Sequence, residues 1–179
     1  MSNQVNTIKE YNTWKGMLER CYSLKKHEKF PTYKGCVIDK RWHNFQNFAK
    51  WFKENYNSET MQGWHLYKDI LVKGNKVYSP ETCCFVPFEI NTLILTNKGK
   101  RASLPIGIIS SKNKKSFISR FNILGIKKHI GVYSTVEEAF EAYKEAKENY
   151  IKEFADKWKD LIDSRVYQAL QEYQVEITD

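Results

Sequence analysis

The chain has 179 residues, a formal net charge of +8 and a sequence pI near 9.2, a balance that suits a polyanionic partner. Aromatic residues make up 15% of it and fall in periodic segments, so a real core is expected despite a mean hydropathy of -0.63, and disorder is confined to the first few residues. No apolar run is long enough to span a bilayer and the polar start MSNQVNTIKE lacks a signal-peptide pattern, which predicts a cytoplasmic protein with no membrane partner.

In chain order, Ile8, Tyr11, Trp14, Leu18 and Cys21 recur at helical spacing, with Lys15, Glu19 and Arg20 on the polar side, predicting a first helix. A loop with Lys25, Lys26, His27, Lys29 and Pro31 follows, whose lysines either meet phosphate or stay solvated. A short strand at Cys36 to Ile38 precedes a second helix striped by Trp42, Phe45, Ala49, Phe52 and Tyr56 and broadened by Phe48 and Trp51. Helical spacing makes these aromatics core residues rather than platforms for stacked bases. Cys21, Cys36, Cys83 and Cys84 read as buried free thiols, since cytosolic thiols stay reduced and adjacent cysteines rarely pair. A zinc site from Cys21, Cys36, Cys83 and a histidine lacks the usual close ligand spacing.

The middle segment from Gly63 to Ile94 reads as strand, turn, strand or loop, then helix. His65 to Val72 is extended, Gly74-Asn75 is a tight turn, Tyr78-Ser79-Pro80-Glu81 is a loop, and Pro87 opens a helix through Asn91. On an alternating strand His65, Tyr67 and Asp69 share one face. From Gly107 the pattern changes to three short strands and an amphipathic helix. Phe117, Ser119, Phe121 and Ile123 fall on one face of the middle strand, and Ser116, Ile118, Arg120 and Asn122 on the other. Lys112-Asn113-Lys114-Lys115 links the first two strands, Leu124-Gly125-Ile126 links the second to the third at Lys127 to Val132, and Gly131 closes it. Ser134 or Thr135 caps the helix, Glu137 and Glu138 occupy its first turn, and Ala139, Phe140, Tyr143, Ala146, Tyr150, Phe154 and Ala155 form its apolar stripe. One helix covers one sheet face, so the other stays open. A short acidic helix after Trp158, packed through Leu161, Val166, Leu170 and Tyr173 or Val175, ends the chain; it is expected to fold back or to meet a basic surface, including a second copy. The fold class expected is α+β, divided as 1–57 helical, 58–98 ββα, 99–158 sheet plus helix and 159–179 tail.

Two stretches resemble known families. G-I at 107, K-S-F-I-S-R-F at 115 and H-I-G-V-Y-S-T-V-E-E-A-F-E-A-Y at 129 resemble the Apetala/ethylene-response-factor DNA-binding domain. That resemblance implies an open sheet face in the DNA major groove, read by Ile109, Ser111, Arg120, Asn122 and His129. Ile109 and Ser111 replace the family's arginines and His129 its tryptophan, so either the base code differs or readout rests more on phosphate contacts from Lys112, Lys114, Lys115, Lys127 and Lys128. The frame Y-S-P-E-T-C-C-F-V-P-F-E-I-N from Tyr78 is similar to the HNH nucleases of phages, whose first histidine activates water while a carboxylate and the last His or Asn hold one divalent ion. The family's D-H pair is Tyr67-Lys68 here. His65, Asp69 and Asn75 are the residues that could replace it: an active site would use His65 and Asp69 with Asn91, holding Mg²⁺ or Mn²⁺ through Asp69 and Asn91; an eroded one leaves a structural or docking scaffold with Lys68 on a phosphate. With W-K-x-M-x-x-R-C-Y at Trp14 to Tyr22, the chain resembles phage HNH homing endonucleases and their inactive relatives. The expectation is a double-stranded DNA-binding protein of that lineage with an eroded nuclease site. A metal-dependent nicking endonuclease and a phage factor that binds a host protein complex are the alternatives. No P-loop, dinucleotide, serine-hydrolase or zincin signature occurs.

Overall fold

The computed structural model describes residues 2–94, 104–113, 115–123 and 125–179; Lys114 and Leu124 lie outside them. The fold is α+β, and its contacts divide into two units, Met1–Phe88 with Leu161–Val166, and Glu89–Asp160 with Tyr167–Asp179. The helical region and the strands that follow it thus share one unit, with no division near residue 57. The tail is shared between the two.

In the first unit, α1 (Ser2–Tyr22) buries Glu10, Met17 and Cys21 while Ile8 and Tyr11 stay exposed, so the apolar stripe is rotated from the expected one. The reason is lateral packing. Tyr11 and Trp14 lie beside Phe45 at 5.7 and 5.4 Å between ring centroids, and Trp14 Nε1 donates to the Trp42 carbonyl at 2.7 Å. The expected lysine loop is instead a helix, α2 (Leu24–Lys29). The Ser23 hydroxyl accepts from the Lys26 amide and caps it, and nothing breaks the helix before Pro31. β1 (Val37–Ile38) leads into a turn of 3₁₀ helix at Lys40–His43 and then α3 (Phe45–Asn55), which starts where the Asn44 side chain accepts from the Gln46 amide. Phe48, Ala49, Trp51 and Phe52 are buried along α3, as the periodicity predicts.

β2 (His65–Tyr67), β3 (Val77–Tyr78) and β4 (Cys84–Val86) follow, then α4 (Phe88–Ile94) immediately after Pro87. The expected strand to Val72 stops at Tyr67. β2 pairs antiparallel with β4, His65 opposite Val86 and Tyr67 opposite Cys84, while β3 runs parallel to β1. The intervening loop is pinned by Asn75, whose Nδ2 donates to the carbonyls of Lys68 (2.6 Å) and Val77 (2.7 Å) and whose Oδ1 accepts from the Val77 amide. Phe85 of β4 meets Trp51, Phe52 and Tyr56 at 5.1 to 5.5 Å, closing an aromatic core.

Arg41 bridges Asp39 and Glu81, each at 2.8 Å, joining the entry to α3 with the loop after β3. Hydrogen bonds from its guanidinium hold both carboxyls at about 2, below the usual carboxylate range. A depressed carboxylate stabilises the fold above the ordinary range and loses that contribution as the pH falls through the folded value. Between about pH 4 and pH 2 the melting temperature should therefore fall less steeply in Arg41→Gln than in the parent. Because Arg41 and Glu81 are exposed and Asp39 is only half-buried, the difference should shrink in high salt.

All four cysteines are free and buried. Burial, with Cys36 beside it, pushes the Cys21 thiol up to about 12; burial likewise raises Cys83 to about 12 and Cys84 well above its ordinary value. A thiol that stays protonated and covered is a poor nucleophile. The native protein should leave Ellman's reagent unreacted over minutes, and denaturant should release four equivalents.

The second unit carries a three-stranded antiparallel sheet, β5 (Ile108–Ser110), β6 (Phe117–Ile123) and β7 (Ile126–Tyr133), packed on α5 (Val136–Trp158). Thr135 caps α5 in a capping box with Glu138. Ala139, Phe140, Tyr143 and Ala155 are buried as expected, but Lys147 and Ile151 are buried in place of Ala146 and Tyr150, a stripe turned by one residue. The Lys147 ammonium lies 5.7 Å from the Tyr143 ring centroid. Ser119, on the helix side of β6, is fully buried and its hydroxyl has no hydrogen-bond partner among the described residues. Ser119→Ala removes that orphan group and should stabilise the protein by about 1 kcal/mol in denaturant unfolding. α6 (Ser164–Gln171) spans the division between units, with Val166 and Leu170 buried and Leu161, a predicted packing residue, exposed. Among the described residues no helix is long and apolar enough to cross a membrane.

Candidate nucleic-acid interface

The open sheet face is built by register. Ile109 of β5 stands opposite Ile118 of β6, which stands opposite Val132 of β7, and directly opposed residues share a face. Toward the other end Arg120 pairs with His129 and Asn122 with Lys127. All four of those polar residues are exposed. The opposite face presents Ile108, Ser119 and Phe121 to the interior, with Phe121 tilted on Tyr150 at 5.6 Å.

A bulge makes this arrangement. Ser119 faces Gly131 while the next residue, Arg120, faces His129, so Ile130 is the extra residue of β7. Strict alternation from His129 would put Val132 on the helix side. The bulge returns it to the open face, where it is 58% exposed. Val132 is thus a residue of the open face that alternation misses.

The structure separates the residues expected to contact DNA. Arg120, Asn122, Lys127 and His129 come together on the open face. Lys128 pairs with Phe121 and lies on the helix side, its ammonium 5.8 Å from that ring's centroid. Ser111 serves the turn: its hydroxyl donates to Asn113 Oδ1 at 2.6 Å and accepts from the Ser116 amide at 3.2 Å. Lys112 and Lys115 are exposed in that turn, and Lys114 falls outside the described residues. A cleft of about 320 Å³ opens between the start of β5 and the polar rungs, lined by Gly107, Ile109, Arg120, Asn122 and Lys127 among others.

The sequence that forms this sheet carries charge of one sign. Between Glu89 and Glu137 the sequence has no aspartate or glutamate, while lysines and arginines recur from Lys98 to Lys128. Acids return only in α5, beginning with Glu137 and Glu138, on the element that covers the other face. That run without a carboxylate was the sequence signal for the site, stronger than the net charge of the whole chain.

The candidate nuclease residues are placed differently. His65 and Tyr67 are on β2, and the alternation of burial continues past the strand end, with Leu66, Lys68 and Ile70 inward and His65 exposed. Against the expected phosphate contact, Lys68 is buried, its side chain 8% exposed, and its ammonium donates to Asp69 Oδ2 at 3.1 Å and to the Asn75 carbonyl at 2.9 Å. Asp69 is thereby matched to a cation of the protein itself. This donor set fits the divalent ion implied by the HNH resemblance poorly, because the Lys68 ammonium already meets Asp69 Oδ2 and places a like charge beside the carboxylate that would hold the ion. Asn91, on α4, belongs to the second unit, whereas His65 and Asp69 belong to the first. Among the described residues no three His, Cys, Asp or Glu side chains converge. Comparison with known protein families, curated proteins and solved structures finds no match to this chain.

Proposed function

We propose that the chain is a double-stranded DNA-binding protein of the phage HNH homing-endonuclease lineage, which docks its open sheet face on the duplex and has lost the nuclease centre. The observation that carries this reading is the polar half of that face: Arg120 opposite His129 and Asn122 opposite Lys127, in a segment without a carboxylate. All four polar residues lie on β6 and β7, and the major groove admits a two-stranded ribbon, where Arg can read guanine O6 and N7 and Asn can read adenine. Lys112 and Lys115, in the turn beyond it, reach for phosphates. The inward Lys68 supports the loss of nuclease chemistry, since a lysine ion-paired to Asp69 neither accepts a proton from water nor holds a metal.

Fluorescence anisotropy with a labelled random-sequence duplex tests it. Binding is expected, with log K falling linearly against log salt at a slope of about -0.9 for each phosphate contact. Added Mg²⁺ or Mn²⁺ should leave the duplex uncut on a denaturing gel. Strand breaks that disappear in Asn91→Ala would restore the nicking endonuclease, and absence of binding at low salt would leave the face to a protein partner.

A further inference from the structure

The polar rungs occupy only one half of the open face. The other half is the row Ile109, Ile118 and Val132, three apolar side chains in register across three strands, one of them more than half exposed. Resting on the DNA-binding reading, we propose that this row recognises the C5-methyl groups of pyrimidines, so that the protein prefers thymine, or 5-methylcytosine, next to the base pairs met by Arg120 and His129. In the major groove the base edges present donors and acceptors, apart from the small C5–H of cytosine and the apolar C5-methyl of thymine, which alone offers a protruding apolar group. An acceptor or donor pressed against the isoleucine and valine row loses water and gains no partner, which is unfavourable. A methyl there removes apolar surface from water on both sides. The row spans two inter-strand spacings, about 10 Å, which fits across a major groove about 12 Å wide, so that it meets the methyls of one or two base pairs. Duplex DNA is the occupant favoured over a protein because the row is continuous with the Arg120 and His129 rung and no carboxylate lies anywhere in the sheet sequence.

The test uses two duplex libraries of one random sequence pool, synthesised with dTTP or with dUTP, so that phosphates and hydrogen-bonding edges are the same and only the methyl differs. The full chain is used to select bound duplexes from the thymine library, and the selected sequences are remade in both forms. The expected result is binding two- to five-fold weaker for each contacted methyl removed, with the salt slope unchanged. A 5-methylcytosine form of sites carrying cytosine in the row should recover the loss. Val132→Thr keeps shape and strand preference while adding a hydroxyl, and with Ile118→Ala it should erase the difference between the two libraries. Both variants are checked for unchanged melting, and if Ile118→Ala melts early the conclusion rests on Val132→Thr. Equal, tight binding to both libraries would overturn the methyl preference and leave the DNA-binding reading standing. Failure to bind either library would overturn both.

Discussion

Replacing Lys112, Lys115, Arg120 and Lys127 together by alanine should weaken duplex binding by about a hundredfold or more near 0.1 M salt and lower the salt slope by about 3 to 4. The expectation follows from position. Arg120 and Lys127 belong to adjacent rungs of the open face, and Lys112 and Lys115 stand in the turn that joins β5 to β6; all four are exposed. Each phosphate contact releases bound counterions, so losing contacts costs affinity most where salt is low. Arg120→Ala alone should behave differently from a lysine change. If it pairs with a guanine edge, about 1 to 3 kcal/mol of discrimination disappears while the slope moves by no more than about one. Lys152→Ala and Lys157→Ala, exposed on α5, are the controls and should leave binding within about twofold. Anisotropy titrations at several salt concentrations measure all of these.

Gly107→Ala should destabilise the sheet and helix of the second unit by about 3 kcal/mol or more. Two costs combine. Gly107 has φ +78°, a conformation that an alanine adopts at about 1 to 2 kcal/mol, and a Cβ at that position would overlap the ring of Tyr143 on α5. The Gly107 carbonyl also accepts the Arg120 amide at 2.9 Å, so distortion there reaches the binding face directly. Gly125 separates the two costs. Its φ is +82°, in the turn between β6 and β7, but an added Cβ meets nothing within 4 Å. Gly125→Ala should therefore cost only about 1 kcal/mol. Denaturant unfolding followed by tyrosine and tryptophan fluorescence compares the two.

Where burial and capping follow local rules, the sequence was readable. The stripe of α3, the capping box of α5 and the three strands of the sheet come from periodicity and cap chemistry, which act within a few residues. The errors lie where distant segments decide. α1 turns its stripe because Trp14 seeks the Trp42 carbonyl and the ring of Phe45, neither of which its own spacing reveals. After the Gly74-Asn75 turn, where a strand or a loop is expected, β3 pairs with β1, a parallel partner far back in the chain. At the site, alternation placed Arg120 and Asn122 correctly on one face of β6, and the Apetala-like pattern put His129 with them. Val132 stayed hidden because a single bulged residue, Ile130, reverses the alternation after His129. The HNH-like frame, with Tyr67-Lys68 in place of the D-H pair, puts Lys68 on a phosphate, which the structure does not bear out. The inward alternation of Leu66, Lys68 and Ile70 was visible in the sequence, but the Asn75 carbonyl that makes burial of the ammonium affordable was not.

The most direct measurement is an amide chemical-shift map of the isotopically labelled protein titrated with a short duplex. If the open face docks on DNA, the shifts concentrate at Ile109, Ile118, Arg120, Asn122, Lys127, His129 and Val132, while the exposed side of α5 around Glu141 and Glu145 stays unmoved. Shifts confined to α5 or to the first unit, with the face from Ile109 to Val132 unchanged, would contradict it.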